Sequence, residues 1–152
     1  MIKLVVRAVM LLLIAVQILA ACSKDTTVVT KSIKYENEKY KFSLTLPSKW
    51  RDNFEVVELK HEDVMAFRFI TKVGKGELFR VEVWPKDQWE TKGIELAKII
   101  HISKIGELGN TVYAFDTPTD VQYDPSNQED KEQYTLLKKD IEQIKISFEV
   151  RN

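Results

Sequence analysis

From Tyr40 to Leu46 the chain alternates strictly: Tyr40, Phe42, Leu44 and Leu46 are apolar, and Lys41, Ser43 and Thr45 between them are polar. Period two puts every apolar side chain on one face of a strand, whereas a helix would scatter them around its axis. Pro47 ends the run because it has no N–H to give to a ladder. Trp50 follows in a turn and is assigned to the core. The same reading recurs downstream. Phe54 to Leu59 and Val64 to Ile70 are two strands joined by the charged turn at His61-Glu62-Asp63, with Met65, Phe67 and Phe69 on one face of the second. Leu78, Val81 and Val83 mark another strand after the Gly74-Lys75-Gly76 turn, which reads as a hairpin connection. Lys98 to Lys104 alternates again with Ile100 and Ile102 on one side, and Val112 to Phe115 follows a turn bracketed by Gly106 and Gly109.

Helical signals are few. Pro85 to Lys92 reads as a short helix with proline near its start and Gly93 closing it. At the C-terminus Tyr134, Leu137, Ile141, Ile144 and Phe148 recur at helical spacing as one apolar stripe. Ser126 with Glu129, or Asn127 with Asp130, is placed to cap the start of that helix. The expected fold class is therefore α+β: a mostly antiparallel sheet with one long C-terminal helix packed on it. With a single cysteine no disulfide can staple the fold, so stability must come from a packed core. Seven Phe, five Tyr and three Trp, all beyond Cys22, are the material for one.

Ahead of this domain stands a different kind of sequence. Lys3 and Arg7 precede an apolar run from Ala8 to Leu19, which leads into Leu19-Ala20-Ala21-Cys22. This resembles the bacterial lipoprotein signal, whose lipobox is leucine, two small residues and the cysteine that receives the lipid. The resemblance implies a signal peptide over residues 1–21, a lipidated Cys22 opening a polar tether over residues 22–32, and a single domain over residues 33–152. It places the mature protein on the extracytoplasmic side of the bacterial cell membrane, held by the Cys22 acyl chains. Each buried methylene contributes about 0.8 kcal/mol, so two or more chains anchor stably where one does not. An uncleaved span is the poorer reading, because it needs roughly 20 apolar residues and Arg7 interrupts any extended version.

Tyr35-Glu36-Asn37 and the stretch Phe42-Ser43-Leu44-Thr45-Leu46-Pro47-Ser48-Lys49-Trp50 resemble the opening of PsbP-like domains. Ile146-Ser147-Phe148 is similar to the segment that ends their final helix. The resemblance covers roughly residues 33 to 150 of one domain and implies an α/β/α sandwich around an antiparallel sheet. It brings no catalytic residue with it, and fold alone does not license function.

Several function classes are disfavoured. Removing residues 1–21 takes away Lys3 and Arg7 and no acidic residue, so 23 basic against 23 acidic residues become 21 against 23. No nucleic-acid footprint exists at that balance. Asp116, Asp120 and Asp124 sit in an acidic loop of the oxygen-donor kind that calcium takes, but without EF-hand spacing or its glycine. They are read as ordinary loop residues, and no metal is expected. His61 is read as a solvated turn residue and His101 as pointing away from the core, with nothing to make them a pair of ligands. No nucleophile elbow, zinc helix or phosphate loop is present. The expectation is a protein that is not an enzyme and holds no cofactor. It would be a binding or accessory module for a protein partner at the membrane, with a small ligand or envelope polymer as the alternative. Trp84 and Trp89 are the candidate contact residues, since tryptophan is enriched among interface hot spots; burial in the core is the competing assignment.

Overall fold

A computed structural model describes residues 31–151. The lipobox residues Leu19, Ala20 and Ala21, the lipidation site Cys22, and nearly all of the tether lie outside the described residues. The fold is α+β and built on two antiparallel sheets. Strands β1 (Ile33–Asn37) and β2 (Phe42–Leu46) pair with a short β8 (Glu149–Val150) in the order β1-β2-β8. Strands β3 (Phe54–His61), β4 (Val64–Thr71), β5 (Glu77–Pro85), β6 (Ser103–Leu108) and β7 (Thr111–Asp116) form the larger sheet in the order β3-β4-β5-β7-β6.

The alternation read from the sequence decides which side of the larger sheet is the core. Phe67 and Phe69 of β4, Phe79, Val81 and Val83 of β5, and Tyr113 and Phe115 of β7 share one face and are buried. Phe69, Phe79 and Phe115 stack across three adjacent strands at centroid separations of 4.3 and 4.7 Å. Against this face pack Phe42, Leu44 and Leu46 of β2, Trp50 of a 3-10 turn (Ser48–Trp50), and the C-terminal helices. Each such side chain contributes about 1.5–3 kcal/mol on leaving water.

The C-terminal helix is not one long rod. Helix α3 (Gln128–Lys138) and helix α4 (Ile141–Ile146) are separate, with Lys139 and Asp140 between them. Asn127 caps α3 by accepting from the Asp130 N–H. Tyr134, Leu137, Ile141 and Ile144 all reach the core, so the apolar stripe is real. At the break the chain makes a tertiary contact. Asp140 turns its carboxylate onto Trp50, accepting from the indole Nε1 at 2.9 Å, and pairs with Lys49 Nζ at 2.9 Å. It is therefore not spent on capping α4. Phe148 lies beyond the helix, stacked on Phe42 at 5.9 Å. A Cβ at Gly106 of β6 would stand 2.7 Å from its ring, so only glycine fits there.

Two further expectations need correction. Residues 98–102 form turns and bends rather than the start of a strand, and β6 begins at Ser103. Gly93 does not end the short helix after Pro85. The chain runs from α1 (Lys86–Gln88) through a π turn (Trp89–Gly93) into α2 (Ile94–Leu96). This segment crosses the outer face of the larger sheet, where Trp89, Leu96, Ile100 and Ile102 pack on Trp84, Val112 and Ala114 as a second apolar cluster. The cluster lies mainly over β5 and β7, with Val64 of β4 at its border.

Candidate functional site

The other half of the outer face is a cavity of about 480 Å³. Its floor is Ala66 of β4 with Arg80, Glu82 and Trp84 of β5. Leu59 and His61 of β3 and Val64 of β4 form one wall. Gln88, Lys92 and Leu96 form the opposite one, and their four-residue spacing puts them on one face of the helical segment. This is the size and character of a small-molecule site, apolar with a few convergent polar groups.

The polar groups are positioned by a bulge. Along β4 and β5 the register slips between Phe69 and Ile70, so that Phe69 faces Phe79 while Ile70 faces Glu77. The additional residue, Leu78, joins the core, and Glu77 moves to the outer face. Arg68 and Arg80 stand directly opposite one another there, a like-charge pairing that would be unfavourable alone. Glu77, 2% exposed, resolves it by accepting from Arg68 Nε on one oxygen and from Arg80 Nε at 2.6 Å on the other. Arg80 also lies 3.4 Å from Asp116 of β7 and 3.8 Å from Glu82.

Glu82 differs from the other two acids. It is buried, one oxygen accepts from the Trp84 indole Nε1 at 2.8 Å, and its nearest cation is that guanidinium 3.8 Å away. Burial pushes its carboxyl above the ordinary value of 4.5 despite the Trp84 hydrogen bond. Burial raises the Asp116 carboxyl as well, against the pull of Arg80. At the rim, Lys92 reaches Glu62 at 3.2 Å and Gln88 donates to Asp63 at 3.0 Å, tying the helical segment to the β3–β4 turn. Both partners of the Lys92 pair are mostly exposed, so the tie contributes little.

Of the residues singled out in the sequence, Trp84 lines this cavity. Trp89 lies behind it, buried edge-on against the Trp84 ring at 5.7 Å. Gly93 makes that packing possible, since a Cβ there would stand 2.3 Å from the Trp89 ring. His61 is at the cavity wall, whereas His101 lines a separate depression with Ile102 and Glu142. The acidic loop divides: Asp116 belongs to the buried network, and Asp124 accepts from the backbone and hydroxyl of Ser126. Among the described residues no three potential metal ligands cluster. Arg68, Glu77, Arg80 and Glu82 were not anticipated. Their signal was present in Arg80-Val81-Glu82-Val83-Trp84, where charge alternates with valine along a strand whose other face is core.

No family model matches this chain, no curated protein matches it in sequence, and no solved structure matches its fold.

Proposed function

We propose that the protein is a lipid-anchored, extracytoplasmic binding protein, tethered through Cys22, that takes a small ligand into the cavity beside Trp84. The observation that carries this reading is the cavity itself: apolar walls around a buried, under-partnered carboxylate, with a mouth held by exposed side-chain contacts. The anchor would hold the domain near the membrane and raise its effective concentration for whatever lies there. A protein partner is the second reading, supported by Val57 and Leu59, which are exposed on β3 at the sheet edge beside the cavity. The PsbP-like α/β/α sandwich remains our reading of the finer fold. Its support is that the Phe42 to Trp50 stretch runs from a core strand through a tight turn to a fully buried tryptophan.

Two experiments on the full chain test this. Metabolic labelling with an alkynyl fatty acid should mark the protein and fail on Cys22→Ala; equal labelling of the variant would remove the anchor from the account. Native mass spectrometry of protein purified from its own membranes should show a small-molecule adduct. Ala66→Trp, which fills the cavity from its floor, should lose it. An adduct retained by that variant would place binding elsewhere.

A further inference from the structure

The cavity also says which charge its occupant carries. Five ionisable side chains sit together on the outer face: Arg68 and Arg80 against Glu77, Glu82 and Asp116. The two arginines are matched by Glu77 and Asp116, which hold the closest contacts. Glu82 is left with an indole N–H and a distant guanidinium. At the rim Glu62 and Lys92 pair with each other. Asp63 at the rim is held only by the neutral Gln88 amide, so acids outnumber cations around the cavity, and the carboxyl inside it without a close cation is that of Glu82. That carboxyl is partly desolvated, which makes an uncompensated carboxylate costly.

Among the described residues, an anionic ligand finds no free guanidinium on the cavity floor, and the one lysine at the mouth already faces Glu62. Arg80 already faces three carboxylates, Arg68 is taken by Glu77, and Lys92 by Glu62. A neutral apolar ligand would fill the walls but seal Glu82 further from water without a partner. We propose that the cavity binds a molecule with one ammonium group on an apolar body, the cation seated against Glu82 and the body between Leu59, Val64, Ala66, Trp84 and Leu96. This rests on the binding reading above and narrows it to a ligand class. The ammonium supplies the N–H donors that the Glu82 carboxylate lacks, and charge-assisted bonds of this kind are the strong ones. Proton and ligand compete for the same oxygens, so cation binding strengthens as Glu82 ionises. Arg80, Trp84, Asp116 and Glu77 face that carboxylate from the sheet, with Gln88, Lys92, His61 and Glu62 on the surrounding walls.

The test compares three probes of nearly equal shape: 2-phenylethylamine, 3-phenylpropionate and 2-phenylethanol. Each is titrated onto the full chain in lipid nanodiscs with empty nanodiscs as control, read by tryptophan fluorescence. The amine should bind at least about tenfold more tightly than either of the others, a difference of about 1.4 kcal/mol. Glu82→Gln keeps an acceptor for the Trp84 indole and should erase that preference. Lys92→Glu lies on the exposed rim, away from the core, and should tighten amine binding severalfold. Equal or better binding of the carboxylate or alcohol overturns the charge assignment and leaves a ligand site standing. Binding of none of the three overturns the ligand site as well. An amine preference untouched by both variants would show that the cation sits elsewhere.

Discussion

Glu77 is the residue on which the outer face depends. It bridges Arg68 and Arg80, which stand opposite each other across β4 and β5. Removing one partner of a fully buried ion pair costs about 3–5 kcal/mol. Both guanidiniums are about a third exposed, so Glu77→Gln should cost less, about 2–3 kcal/mol, measured by chemical denaturation. Glu82 acts in the opposite sense. Its folded carboxyl, like that of Asp116, titrates above the ordinary value. The folded state thus binds more protons than the unfolded state in the window above 4.5. Stability from these two acids is fully present below their ordinary values and declines as pH rises through the raised ones. Glu82→Gln removes its share of that decline. Relative to the parent, the variant should be more stable near neutrality than in acid, and denaturant midpoints across pH check it. An unchanged pH profile would mean that Glu82 is not strained by burial.

Elements show where local sequence suffices and where it does not. Strands β2, β4, β5 and β7 were legible because one face of each is core, so burial writes itself into the sequence as alternation. The C-terminal stripe was legible for the same reason, but its interruption was not. At the break Asp140 bonds Trp50, a partner 90 positions away that no local pattern can show. Ile100 and Ile102 imitate a strand because both seat on the second apolar cluster from an irregular segment. The cavity was half legible: Trp84 stood out by residue type, whereas Glu82 needed the strand order and the β5 bulge to be seen as buried. Asp140→Ala should cost about 1.5–3 kcal/mol, the worth of hydrogen bonds to a charged group. It should also shift the Trp50 emission toward longer wavelength. No loss of stability would mean that the break lies in the Lys138-Lys139 sequence itself.

For the whole molecule, the core and the cavity occupy opposite faces of one sheet, and this division lets the domain be stable and keep an open site. The core face needs its helical cover. A chain ending before Tyr134 loses Tyr134, Leu137, Ile141 and Ile144 together with β8. It should show no cooperative unfolding transition, whereas a sharp transition would refute this division of labour. The outer face is covered on the β5-β7 side and left unfilled over β3 and β4. As the proposed binding site, the cavity there should be the part of the surface that small molecules prefer. The most direct measurement is a fragment screen on the isotope-labelled full chain, read as backbone amide shifts. The account predicts that hits converge on residues 59–66, 80–84 and 88–96, with cationic fragments leading and Ala66→Trp abolishing them. Hits scattered over the surface, or gathered on the β3 edge alone, would contradict it.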